Sequence, residues 1–191
     1  MSVTLKTAPA TEPVTVLEAK NQMRVTHADE DGLIGNYITA ARQAAETFTN
    51  RQFITATWEL RLDEFPECIR LPFPPALVVN TIKYYDTGGT LTTMLPADYR
   101  EDIYEATARI DPAFGKTWPP TRAQSMAVIV DYDAGYGLTA STVPMGLRQA
   151  ILWLVAHWFE HREPILYGAS QHKIPFHVES LLWQYKVPAF A

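Results

Sequence analysis

The sequence predicts an α+β fold: a helical bundle with an inserted β-rich subdomain and an extended C-terminal tail. Residues 15–53 carry apolar side chains at helical spacing, and residues 54–137 alternate with period two between glycine- and proline-rich turns. Residues 144–162 then return to the helical period. The simplest assembly packs the main helices together and inserts the strands between the second and third. The expected boundaries are a flexible N-terminal arm at 1–13, a helical core at 14–53 plus 138–163, the β-rich insertion at 54–137, and a tail with a short helix at 164–191.

The arm is rich in Thr, Ala and Pro, a composition that does not demand packing. Thr15 followed by Glu18 is a capping-box spacing, so a first helix is expected over Val16–Met23, with Leu17 and Met23 on its apolar face. The acidic run Asp29, Glu30, Asp31 suits the positive end of a second helix. Ile34, Ile38, Ala41, Ala45 and Phe48 fall on one face of it, widened by Leu33 and Tyr37. Asn36, Thr39, Arg42, Gln43, Glu46 and Thr47 fill the other side, and Asn50 is suited to a left-handed C-terminal cap.

From Ile54 to Leu62 the chain alternates as a half-buried strand. Short strands are expected at Cys68–Leu71, Leu77–Tyr85 and Leu91–Leu95, the last two joined by the turn Asp86-Thr-Gly-Gly-Thr90. Residues 96–105 are ambiguous, 107–110 allow a further short strand, and Met126–Tyr132 reads clearly as one. Pro144 opens a third helix that runs to Arg162, with Leu147, Ile151, Leu154, Val155, Trp158 and Phe159 forming a broad apolar face. Pro164 stops it. A last short helix is expected over His177–Lys186.

At 191 residues, 47% hydrophobic and 19% charged, the chain is globular and can bury a sizeable core. A formal net charge of −5 argues against a general polyanion-binding surface, and Lys and Arg are scattered rather than clustered with aromatics. The single cysteine, Cys68, excludes an internal disulfide framework. No early basic-then-apolar run suggests a secretory signal, and no apolar stretch approaches the roughly 20 residues that span a bilayer. A soluble, intracellularly made protein is expected, with no membrane partner.

The most enzyme-like string is His157-Trp-Phe-Glu160-His161, the H-x-x-E-H arrangement of inverted zinc proteases. The two imidazoles share a helix face and Glu160 is a candidate base. A third ligand would have to come from Glu163 or Glu179, and the motif sits among bulky core residues with no loop to form a cleft. No catalytic residue, metal site or cofactor is therefore assigned. Asp131 and Asp133 share a strand face but also fit solvated carboxylates at a strand end. Gly135-Tyr-Gly137 lacks the lysine and spacing of a phosphate loop, and Cys68 lacks a neighbouring base. The end of the chain is crowded with aromatics, more than a thin tail can bury, which suggests docking on another subunit.

The residues also carry a resemblance. Val14-Thr-Val-Leu-Glu-Ala-Lys-Asn-Gln-Met-Arg-Val25, Asp31-Gly-Leu-Ile34 and Ile38–Arg51, then Tyr132–Gly137, Val143–Ile151, Ala156–Glu163 and Ile174–Leu182, together resemble the head–tail connector (adaptor) proteins of long-tailed phages and phage-derived gene transfer agents. The resemblance covers both ends of the chain and leaves most of the sheet region uncovered. It implies a structural virion protein, not an enzyme, made in the host cytoplasm and placed at the head–tail junction. Such connectors form a ring, usually of twelve subunits, beneath the portal protein. The ring extends the channel for genomic DNA, which passes without sequence-specific binding, and offers a surface to a stopper or tail-side protein. In relatives the C-terminal segment reaches the portal. Here that implies Tyr167, Phe176, Leu181, Leu182, Trp183, Tyr185 and Phe190 as docking residues. Acidic groups are expected to face the lumen. The β-rich block departs from the smallest members. A stopper or tail-completion protein is the alternative within the virion, and a zinc hydrolase using His157, Glu160 and His161 a distant one.

Overall fold

The structure, a computed structural model, describes residues 1–103, 108–162 and 175–188. Among these residues are four α-helices and two antiparallel sheets, a mixed α+β architecture. The chain divides into two compact units: Met1–Ala10 with Thr55–Tyr136, and Thr11–Ile54 with Gly137–Ala189.

The second unit is helical. Helix α1 (Val16–Met23) begins at the expected capping box: the Glu18 N–H donates to Thr15 Oγ1 at 3.1 Å, and the Thr15 N–H donates to Glu18 Oε2 at 2.7 Å. The bonds from the Thr15 N–H, then from its hydroxyl and the Arg148 guanidinium, hold the Glu18 carboxyl below its ordinary value of 4.5. The depressed value means that this contribution is present above the unfolded pKa and is lost as the pH falls through the folded one. Thr15→Ala should cost about 1 kcal/mol in urea unfolding at pH 7, and the difference should narrow on acidification. Leu17, expected on the buried face, is 67% exposed; Ala19 is the buried residue of this helix.

Helix α2 (Asp31–Thr49) starts after Glu30, which makes no side-chain cap bond; Asp31 instead accepts from Lys20 Nζ at 2.7 Å. Ile34, Ile38, Ala41 and Ala45 are buried as their spacing requires. Helix α3 (Met145–Glu160) buries Leu147, Ala150, Ile151, Leu154 and Val155, and helix α4 (Phe176–Trp183) buries Val178 and Leu182. Asn50 caps α2 in the left-handed conformation, φ 54°. Arg42, placed by its spacing on the polar side of α2, is only 7% exposed, because Glu12 and Glu46 enclose its guanidinium.

The other unit is built of strands. Its larger sheet has the order β1-β2-β8-β4-β5: β1 (Ser2–Thr7), β2 (Ala56–Leu62), β8 (Val128–Ala134), β4 (Ala76–Tyr85) and β5 (Leu91–Thr93). A smaller sheet, β3-β7-β6, joins Ile69–Arg70, Arg109–Pro112 and Tyr99–Asp102. The ambiguous stretch thus becomes a 3-10 turn at Pro96–Asp98 followed by β6. The β4–β5 turn uses Gly89 at φ 87°, where a side chain would be strained.

Register divides the larger sheet cleanly. Val3 pairs with Leu60, Leu60 with Val130, and Val130 with Ile82, whose carbonyl accepts from the Met94 N–H at 2.8 Å. This apolar row crosses the sheet from edge to edge and joins Ile69, Leu71, Tyr99 and Ile110 in one core. The opposite face carries Thr4, Glu59, Asp131 and Thr81 in register.

The N-terminal arm expected to be flexible is not so. Residues 2–7 form β1 along the edge of β2, with Val3 packed against the core. A row of unpaired groups on β2 is a template for a further strand, and Val3 and Leu5 carry the required alternation. Residues 11–13 are also tied down: Thr11 Oγ1 donates to the Leu138 carbonyl at 2.9 Å, and Arg148 Nε donates to that of Pro13 at 2.9 Å.

Candidate functional site

The exposed aromatic residues that sequence reasoning placed in the tail gather on α4, so its seat is the candidate assembly surface. Pro175 precedes the helix and presets its first turn. Val178 and Leu182, one turn apart, face inward and are buried. Phe176 and Trp183, two turns apart, lie on the outer face and are 81% and 57% exposed. Leu181 is half-buried between the two faces.

The chain after α4 is bound closely to α2. The Val187 N–H donates to the Thr49 carbonyl at 2.9 Å, Asn50 Nδ2 donates to the Val187 carbonyl at 2.7 Å, and Arg51 Nε donates to the Tyr185 carbonyl at 2.6 Å. Asn50 therefore both turns α2 and holds the last described segment. Tyr185 lies against Gly146 of α3, where an added Cβ would sit 2.7 Å from the phenolic oxygen. Trp183 meets Phe48 edge-on, 6.0 Å between ring centroids, and Lys186 lies 4.4 Å over the Trp183 ring. These contacts fix the tryptophan's orientation while leaving much of it in solvent, an arrangement suited to an anchor residue.

Of the residues expected to dock, Phe176 and Trp183 are presented outward. Leu182 belongs to the unit's own core, and Leu181 and Tyr185 are partly covered. Tyr167 and Phe190 lie outside the described residues.

The other candidates are engaged by neighbouring groups. His157 and His161 stand 4.9 Å apart, ring to ring, at the end of α3. Burial, followed by the neighbouring His161 and His177, holds the His157 imidazole below its ordinary value, while Glu160 acts weakly the other way. Among the described residues no three His, Cys, Asp or Glu side chains are grouped to hold a metal ion; Glu163 lies outside them. Asp131 accepts from Lys6 Nζ at 2.8 Å and Thr81 Oγ1 at 3.2 Å, and Asp133 accepts from Asn80 Nδ2 at 3.0 Å. Sequence reasoning missed Lys6 as the partner of Asp131 because it lies far away in the chain. Burial, then Asp111, raises the Cys68 thiol, the opposite of what a nucleophile needs. No described helix is long and apolar enough to cross a membrane.

The model of the family described as "Phage gp6-like head-tail connector protein" matches residues 13–106. Residues 13–106 are thus similar to that head–tail connector family. The match runs from the capping box of α1 through β6, so it takes in strands that the resemblance had left uncovered, and it stops short of α3 and α4. No curated protein sequence matches this chain significantly. Solved structures match across its whole length, among them these three. One, described as the virion of a native gene transfer agent (GTA) particle, contains a chain 26% identical to this one, with a TM-score of 0.81. The neck of an empty GTA particle, computed with C6 symmetry, gives 26% identity and 0.78. The neck of a native GTA particle, computed with C12 symmetry, gives 24% and 0.74, a likeness of fold. In each case 100% of this chain and 98% of the other are covered.

Proposed function

We propose that this protein is one subunit of a connector ring, usually twelve copies, that sits beneath the portal and joins capsid to tail. It is a structural protein of the virion, placed at the head–tail junction. The observation that carries the reading is the end-to-end fold match, at 26% identity, to a chain of a gene transfer agent virion. The similarity of residues 13–106 to a head–tail connector family supports it independently. The helical unit is the connector bundle, the strands of residues 55–136 are an insertion within it, and the chain after α3 is the tail that reaches the portal. Genomic DNA passes through the ring without base readout, along a lumen lined by acidic groups, in keeping with the net charge of −5. A stopper or tail-side protein binds the far face.

The outer face of α4 is the portal-docking surface, with Phe176 and Trp183 as anchors. The decisive experiment mixes the full chain with its cognate portal and reads mass and shape by native mass spectrometry and electron microscopy. A ring added in the portal's own symmetry is expected. Trp183→Ala should weaken portal association about 30-fold, the scale of an aromatic hot spot, and Phe176→Ala by somewhat less. Both side chains are largely exposed, so the free subunit should unfold at nearly its original denaturant midpoint. Undiminished binding by the double variant would move the docking surface elsewhere; absence of any complex with the portal would favour a stopper instead.

A further inference from the structure

The two open edges of the larger sheet are complementary. Among the described residues β1 and β5 are its outermost strands. Every neighbouring pair between them is antiparallel, so with five strands β1 and β5 run in the same direction. Strand β5 bonds to β4 through alternate residues: the Met94 N–H donates to the Ile82 carbonyl at 2.8 Å, and the Asp86 N–H donates to the Thr90 carbonyl at 3.0 Å. The phase of that ladder turns the N–H and C=O groups of Leu91 and Thr93 outward.

The side chains match as well. Leu5 of β1 pairs with Trp58 and so stands on the core side of the sheet, yet it is 48% exposed at the edge. At the other edge a groove of about 530 Å³ opens beside β5, lined on the sheet side by Tyr84, Thr92, Met94 and Leu95 and on the other by Lys116 and Pro119. Ile82 and Met94 place this opening on the core side too. The Lys116 charge is paired with Asp98 at 2.5 Å, which leaves the groove without an isolated charge. One edge thus carries an apolar knob and the opposite edge a hole of mixed lining with Met94, Leu95 and Pro119 as its apolar part, in the same layer.

We propose that the sheet continues from copy to copy. Strand β5 of one subunit takes β1 of the next as a parallel partner, and the incoming Leu5 enters the groove beside Met94 and Leu95. This rests on the ring reading above. A ring needs two different surfaces that meet head to tail, and a sheet's two edges lie on opposite sides by construction. Rotation by one twelfth of a turn keeps strand directions nearly unchanged, so only a parallel join is compatible, and that is the join these edges offer. Pairing two copies of β1 would instead bring two knobs together with no hole.

The test uses the full chain with its portal. Thr93→Pro removes an outward N–H and no bond to β4, and Leu5→Glu puts a charge on the knob. Each should lower the ring population at least tenfold at fixed concentration, with circular dichroism and the denaturant midpoint of the free subunit nearly unchanged. Leu5→Cys with Leu95→Cys, in a Cys68→Ser background, should give a ladder of covalent oligomers on oxidation, and neither single cysteine should. Rings of normal abundance from the folded variants, with no ladder from the cysteine pair, would overturn the sheet contact and leave the ring reading standing. Failure of the unaltered chain to form any ring would overturn both.

Discussion

Replacing Arg42 by alanine should destabilise the helical unit by about 3–5 kcal/mol, the scale of breaking a buried ion pair from one side. Arg42 Nε donates to Glu12 Oε2 and Nη1 to Glu46 Oε2, each at 2.7 Å. The second oxygen of Glu46 accepts from the Phe53 N–H at 2.9 Å and Gln52 Nε2 at 2.8 Å. The network thus joins the segment before α1, the middle of α2 and the chain leaving it. Without the guanidinium, Glu46 keeps its burial and loses its counter-charge. Burial already holds its carboxyl above the ordinary 4.5, with Arg42 opposing that shift. A raised folded value means that the native state binds more protons than the unfolded one above 4.5, so stability falls as pH rises through that window. The variant's folded value is higher still. Its deficit should therefore be largest at pH 7 and shrink towards pH 5, and Arg42→Ala with Glu46→Gln should lose less than the two single changes summed. Urea unfolding at both pH values checks this. A cost below 1 kcal/mol, independent of pH, would mean the network contributes only surface electrostatics.

Tyr132→Ala should cost the strand unit about 3–5 kcal/mol, as other large aromatic truncations do. Tyr132 is fully buried on β8 at the centre of the sheet, and its hydroxyl donates to the Pro72 carbonyl at 2.9 Å. Burial raises the phenol's pKa strongly, so it is a neutral donor at any working pH. Tyr132→Phe keeps the ring and leaves the Pro72 carbonyl without its donor, so a smaller loss of about 1–2 kcal/mol is expected. Calorimetry of the two variants separates packing from the hydrogen bond. Equal losses would assign the whole effect to the hydroxyl. The same variants bear on assembly, because β5 and β1 keep their places only while β8 holds β2 and β4 between them.

What the sequence determined by itself was what short-range physics controls. The α1 capping box spans three residues, the α2 stripe repeats within two turns, and the β4–β5 turn needs only two glycines. All three stand in the structure nearly as their spacing dictates. The aromatic content of the C-terminal segment was equally visible, and with the two flanking signatures it pointed to a connector.

Tertiary structure decided what local pattern leaves open. Ser2–Thr7 reads as a loose arm until β2 offers it an edge, and a strand of this length has no stability alone. Arg42 reads as solvated until Glu12, thirty residues away, closes over it. Leu17 sits at an apolar position, yet α1 turns Ala19 inward instead. The division of α4 into a buried Leu182 and an outward Trp183 depends on which face meets α2 and α3, and neighbouring apolar residues in a short helix do not reveal it. The pairing of Leu5 at one sheet edge with the groove at the other belongs to neither segment separately. It arises from strand order, and strand order is set by long-range burial rather than by any local run of residues.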